Sequence, residues 1–378
     1  MLSTLFSVFL HRCALTGAIW ISPLLWLTAQ TDTLRLLFAG DIMGHTPQIK
    51  SAETAGGKKY DYTPCFSHIS PLIERADVAI GNLELTLPGK PPYTGYPMFR
   101  SPDALADALK AAGFDLLVTA NNHSNDSHGE GVMATIETIR RTGLQQTGTF
   151  LNAADRKTNY PLMLYKNGFK VAILNYTYDT NGVPTDAPTI VNLIDTTRMA
   201  ADLYEARARK PHYIIVVMHW GIEYQLKENA EQRRLARMLI RHGADLIIGM
   251  HPHVVQPIRM ESAKGPDGAL KEVLTVYSLG NFISNQRKPH TDGGIMFQAE
   301  LLKTKGSAQV RLGHNGYIPV WRYMHRAPNG KTIFYTLPVA RLEHQPDLFP
   351  GMSPAARSAM LQYARQLRQR IEYHEWKK

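Results

Sequence analysis

Five short apolar runs in this chain each stop at a polar cluster, and that pattern limits the fold more than any other feature. Leu34–Phe38 leads into GDIM at 40–43, Val78–Ile80 into NLE at 82–84 and Leu116–Val118 into NNH at 121–123. Tyr213–Met218 leads into HWG at 219–221, and Leu246–Ile248 into HPH at 251–253. Short β-branched or leucine-rich runs that end at Gly, Asp, Asn or His read as buried strands passing into loops. If those strands are neighbours in stacked sheets, Asp41, Glu84, Asn122, His123, His219, His251 and His253 meet at one edge. Such a set of oxygen and imidazole donors suits two divalent cations.

Chance is the competing explanation. A chain with 15 histidines places some of them beside strands without purpose. Any one cluster is weak, but five at strand ends are hard to place by accident. HPH is the sharpest: two imidazoles two residues apart on an extended segment point the same way, and Pro252 favours an extended His251.

Helical patterns separate these runs. Ser101-Pro102-Asp103 starts one, with Leu105, Ala108, Leu109 and Ala112 at helical spacing and Gly113 as its stop. Others are expected from about Gly129 to Thr142 and from about Asn229 to Gly243. Lys166-Asn167-Gly168 signals a hairpin between Leu162–Tyr165 and Val171–Leu174. Strands are expected again at Val273–Tyr277 and around Ile295–Leu301. The alternation is that of a layered α/β fold. Residues 33–318 form the expected main domain and 319–378 a C-terminal extension. Ser353-Pro354 opens a helix there that runs to about Tyr373, carrying Arg365, Arg368 and Arg370 and a narrow stripe of Met360, Ala364, Leu367 and Ile371. A basic helix packed by that stripe is the simplest reading; a membrane or partner contact is the other.

Residues 1–29 read as a signal peptide or N-terminal membrane anchor. ALTGAIWISPLLWL at 14–27 is apolar, follows His11 and Arg12, and precedes a possible cleavage point at Ala29. The expected place is thus outside the cytoplasm: periplasmic, cell-surface or membrane-anchored. Without that segment and its Cys13 only Cys65 remains, which excludes an intrachain disulfide. The net charge of +10 suits an anionic partner. It is dispersed, with no nucleic-acid motif, so no nucleic-acid partner is expected.

GDIM, GNLE, ANNHSND, HWGIEY, GMHPHVVQPI and YSLGNFI, in this order, resemble the capsule-synthesis protein CapA (poly-γ-glutamate capsule protein) family over about residues 34–300. That family is similar to the calcineurin-like metallophosphoesterases. The resemblance implies a β-sandwich flanked by helices, in four layers αββα, with two divalent metal ions (Mn, Fe or Zn) at the loop edge. It implies Asp41, Glu84, Asn122, His219, His251 and His253 as ligands. His123 looks like a general acid, with Asp126 either orienting it or making an Asx turn. Asn281 would contact substrate or shape its loop; Gly280 beside it favours the second. Where the wider superfamily has Asp-x-His, this chain has Asp41-Ile42-Met43, and a thioether is a poor ligand for a hard cation. Glu84 and His45 are candidate substitutes, and His45 is also a candidate substrate contact. Three functions follow. One is a metal-dependent hydrolase or transferase acting on a phosphate ester or an anionic capsule polymer. Another is a non-catalytic component working with other capsule-synthesis membrane proteins. The last is a periplasmic module that binds an anionic ligand.

Overall fold

Each of the five apolar runs forms a strand, and the alternation of side chains along it decides which layer each residue enters. The computed structural model describes residues 31–376 apart from 55, 56, 58, 306, 308, 346, 347 and 350. The export segment expected at 1–29 lies outside the described residues. Among the described residues no helix is long and apolar enough to cross a membrane.

The first sheet runs in the order Thr332–Pro338, Val310–Arg326, Gly293–Thr304, Thr31–Ile42, Val78–Leu83, Leu116–Val118, Gln145–Thr147, with Asn281–Ile283 also paired to Thr31–Ile42. Its last four strands are parallel. The second sheet runs Ile258–Lys264, Leu270–Val276, Leu246–Met250, Tyr213–His219, Phe169–Thr177, Leu162–Lys166. Its four central strands are parallel too. Parallel strands need crossover segments, and here most of those are helices, which cover the outer faces.

Three cores define the layers. Leu34, Leu36, Phe38, Ile80 and Val118 of the first sheet meet Ile173, Ile215, Val217 and Ile248 of the second between the sheets. The alternate residues Leu37, Ala39, Ala79 and Leu117 turn outward onto Leu105, Leu109 and Ile139 of the helices Ala104–Ala111 and His128–Arg141. Leu174, Ile214, Val216 and Ile247 likewise pack on Met199, Leu203, Leu235 and Leu239 of Thr196–Ala208 and Ala230–Arg241. The result is the αββα order, in which the period of two along a strand divides one sequence run between two cores.

Most local signals are realised, but the helix read from Ser101 starts at Ala104, with Asp103 and not Ser101 at its N-cap. Asn167 and Gly168, with φ of 50° and 76°, turn the hairpin between Leu162–Lys166 and Phe169–Thr177. Asn229 caps Ala230–Arg241 through a reciprocal pair with Gln232. Ser353 caps Pro354–Arg370, and its stripe of Met360, Ala364, Leu367 and Ile371 is buried in the central core. Arg368 of that helix is paired with both Glu343 and Glu375, so this part of its basic face is internally neutralised.

The boundary expected at 318/319 falls inside the strand Val310–Arg326, so residues 319–338 belong to the first sheet. Pro319 does not interrupt that strand. The neighbouring strand begins its pairing at Val320, so the N–H that Pro319 lacks is not needed on that side.

Candidate metal centre

The parallel strands of both sheets end at the same edge, and there the five clusters meet. Asp41 closes the first strand, held by its N–H to the Gly280 carbonyl at 3.0 Å. A Cβ on Gly40 would lie 1.9 Å from that carbonyl, which is why a glycine must precede Asp41. Asp41 Oδ1 accepts from Asn82 Nδ2 at 2.8 Å, and Oδ2 lies 3.1 Å from His253 Nδ1.

Glu84 follows the neighbouring strand and is wholly buried, yet neither of its carboxylate oxygens has a hydrogen-bond partner. Its Oε1 lies 3.6 Å from His219 Nε2 and 3.7 Å from His253 Nε2, too far for hydrogen bonds. Burial first, then the Asp41 carboxylate beside it, pushes the Glu84 carboxyl well above its ordinary range. Burial holds His219 and His251 well below the usual imidazole range, with neighbouring histidines adding to it. His251 Nδ1 is also buried without a partner.

Three groups of side chains bring ligand atoms within 4.8 Å of one another: Glu84–His219–His251, Asp41–Glu84–His253 and Glu223–His251–His253. Asn122 Oδ1 adds to the first, 2.8 Å from His219 Nε2. A buried carboxylate with no donor is costly unless a cation or proton supplies the missing charge. The donors are carboxylate, amide and imidazole, the set that divalent cations take. The residues therefore fit a metal centre.

His123 sits beside this cluster. Its Nδ1 is 2.7 Å from Asp126 Oδ2, and its ring meets Phe99 edge-on at 4.6 Å. Asp126 also accepts the Phe99 N–H at 2.5 Å, so it is fixed from two directions. The contact holds the His123 ring in place.

Other expectations fare differently. The HPH turn is not extended: His251 and His253 have φ of 99° and 59°, in the left-handed region. The two rings nonetheless approach with centroids 5.9 Å apart. The tight turn also lets Tyr224 N–H bond to the Pro252 carbonyl at 2.8 Å, an anchor an extended segment would not present in the same way. Met43 is buried in the outer core of the first sheet. His45 joins none of the three metal groups. It begins the helix Thr46–Ala52, where its Nδ1 lies 3.1 Å from Gln48 Oε1 and 3.3 Å from the Asn285 N–H. Of the two candidate substitutes for the absent imidazole, only Glu84 belongs to these groups. Asn281 gives its amide N–H groups to Gln286 Oε1 and the Thr291 carbonyl, both at 2.9 Å, and so shapes the 286–291 loop.

Sequence reading missed four contributors: Asn82, Tyr178, Asn181 and Glu223. Asn82 lies inside a recognised motif and was passed over for Glu84. Tyr178 lays its ring against His251 at 4.5 Å, and Asn181 accepts from Asn122 at 3.1 Å. Both are in a loop with no sequence marker. Glu223 had a marker, an acid two residues beyond HWG.

Residues 35–286 match the family model described as bacterial capsule synthesis protein PGA_cap. The chain is 28% identical over 298 residues to the PGA biosynthesis protein CapA of Bacillus subtilis (strain 168), covering 73% of this chain and 70% of that protein. It is 28% identical over 286 residues to the capsule biosynthesis protein CapA of Bacillus anthracis, covering 72% of this chain and 65% of that one. Among solved structures, the calcineurin-like phosphoesterase YfkN from Bacillus subtilis aligns at 13% identity and a TM-score of 0.47, over 90% of this chain and 98% of that chain. The Haemophilus influenzae NAD nucleotidase aligns at 11% identity and a TM-score of 0.48, over 90% of this chain and 61% of that chain.

Proposed function

Because the chain belongs to the bacterial capsule synthesis protein family, we propose that it is a metal-dependent hydrolase or transferase of capsule-polymer biosynthesis. In this reading it works in the cell envelope on an anionic polymer of the poly-γ-glutamate kind or on a phosphate ester. One observation carries the metal-dependent part: Glu84 is fully buried among Asp41, His219 and His253 with both oxygens unpartnered. A purely structural carboxylate would have recruited donors from its surroundings.

Asp41, Glu84, Asn122, His219, His251 and His253 would hold two divalent ions of Mn, Fe or Zn. Bound there, the ions supply Lewis acidity toward a substrate oxygen and an acidified water. The chain's own residues do the rest. Asp126 accepts the Nδ1–H of His123 and fixes the tautomer, which leaves Nε2 as the nitrogen that exchanges a proton with the leaving group. Phe99 packs against that ring and restrains its tilt. The net charge of +10 favours arrival of an anionic substrate.

The test is a screen of phosphoesters and γ-glutamyl polymers with the purified, metal-analysed protein, run beside His123→Asn. The variant should keep its metal and lose roughly 10²–10⁴-fold in turnover. The loss should be smallest for leaving groups that need no proton. Equal losses on good and poor leaving groups would reduce His123 to a positioning residue. No turnover by the metal-loaded wild type would leave the chain as a binding component of the capsule apparatus.

A further inference from the structure

We infer that Glu223 is a metal ligand that acts with Asp41, Glu84 and His253, supplying the donor that Met43 cannot. The inference rests on the metal-dependent reading above. It starts from an imbalance between the two halves of the cluster. Glu84, Asn122, His219 and His251 give one cation four donors. Asp41, Glu84 and His253 give the other only three, because the thioether of Met43 is packed in the outer core.

Glu223 stands at that deficit. Its carboxylate forms a group with His251 and His253, with Oε1 3.9 Å from His253 Nε2. Glu84 Oε1 lies 3.7 Å from the same nitrogen. Asp41 Oδ2 lies 3.1 Å from His253 Nδ1, so the opposite ring nitrogen, Nε2, is the one turned toward the two carboxylates. Both distances are too long for hydrogen bonds, and the gap between these donor atoms is where a shared cation would sit.

The loop that carries Glu223 is built to hold it there. Trp220 N–H bonds to the Met250 carbonyl at 3.1 Å and Tyr224 N–H to the Pro252 carbonyl at 2.8 Å, tying the segment on both sides of Glu223 to the HPH turn. Gln256 Nε2 holds the Gln225 carbonyl at 2.8 Å. Gly221 and Tyr224 bend the segment with φ of 90° and 66°. Unlike Glu84, the Glu223 side chain is 41% exposed, so it is reachable from solvent.

The donor sets then differ in chemistry. Asp41, Glu84, Glu223 and His253 offer three carboxylates and one imidazole, whereas the other set offers one carboxylate, one amide and two imidazoles. The first is the harder set and should favour Mn²⁺ over Zn²⁺ more strongly than the second.

The experiment is Mn²⁺ titration of the metal-free full chain, read by bound metal and by electron paramagnetic resonance, for wild type, Glu223→Gln and Glu223→Asp. Wild type should bind two equivalents and give a spin-coupled signal. Glu223→Gln should keep one tight equivalent, show an uncoupled spectrum and weaken the other by more than the roughly 10–100-fold that losing an outer partner costs. Glu223→Asp should fall between. Unchanged thermal melting of the metal-free variants checks the fold. Two equivalents of unaltered affinity in Glu223→Gln would overturn the inference and leave the metal-dependent reading intact. Absence of Mn²⁺, Fe²⁺ and Zn²⁺ binding by wild type would overturn both.

Discussion

Two of the buried polar clusters among the described residues stand in contrast, because the chain itself finishes only one of them. Under the second sheet, Asp202 Oδ2 accepts from Arg156 Nη2 at 2.6 Å and from the Tyr176 hydroxyl at 2.9 Å. Arg156 Nε donates to Asn192 Oδ1 at 2.8 Å, and its guanidinium lies 4.6 Å from the Tyr160 ring centre. No buried nitrogen or oxygen of that pair lacks a partner, whereas both Glu84 oxygens and His251 Nδ1 do. Both clusters set acids against bases in the dry interior. The closed one ties the helices Ala153–Asn159 and Thr196–Ala208 to the sheet. The open one keeps its coordination places for something the chain does not encode. Unsatisfied valence, more than burial or charge, separates a site from a strut.

The sharpest way to break this contrast is to remove one carboxylate from each cluster. Asp202→Ala strands the Arg156 guanidinium and should cost about 3–5 kcal/mol in chemical denaturation. Glu84→Gln removes a charge that no donor compensates, so the metal-free protein should melt no lower than wild type. A large loss for Glu84→Gln in metal-free protein would mean that its carboxylate has partners of its own.

Chelation gives the next effect. If metal saturates the native protein at 100 times its Kd, stripping it should lower stability by about 2.7 kcal/mol. Glu84→Gln should show no such drop, and Asp202→Ala should show the full one. An equal response from all three proteins would erase the distinction between the clusters.

His45 gives the smallest effect, being an intermediate case with protein partners on its ring. Burial lowers its imidazole from the ordinary 6.5 to about 4. Below pH 6.5 the unfolded chain takes up a proton that the folded ring refuses, so this contribution is whole above pH 6.5 and is lost as pH falls toward about 4. The dependence of stability on pH across that window should be shallower for His45→Gln than for wild type, with His219 and His251 keeping a slope in both. An unchanged slope would assign the acid sensitivity elsewhere.

The sheets were legible in sequence because each core strand is a short apolar run with an abrupt polar end. Asp41, Glu84, His219, His251 and His253 were legible for the same reason: each interrupts or follows such a run at once. Glu223 carried only the marker of an acid just past HWG, because its place depends on backbone bonds from a loop to a turn about 30 residues later in the chain, between Tyr224 and Pro252. Arg156 and Asp202 were invisible because each looks like an ordinary helix-surface charge until the two helices dock on the sheet. The strand through Pro319 was missed because whether proline interrupts a strand depends on where its neighbour begins.

The left-handed turn at His251 and His253 sets folding against function. Non-glycine residues there carry a conformational cost on the order of 1–3 kcal/mol each, which glycine, and to a lesser degree asparagine, would reduce. Selection for thermal stability alone should therefore let both positions drift toward those residues. Persistence of histidine at either position in such an experiment would mean that the ring itself stabilises the fold. Its disappearance would mark the turn as a place where natural selection has kept a less stable chain for the sake of what it binds.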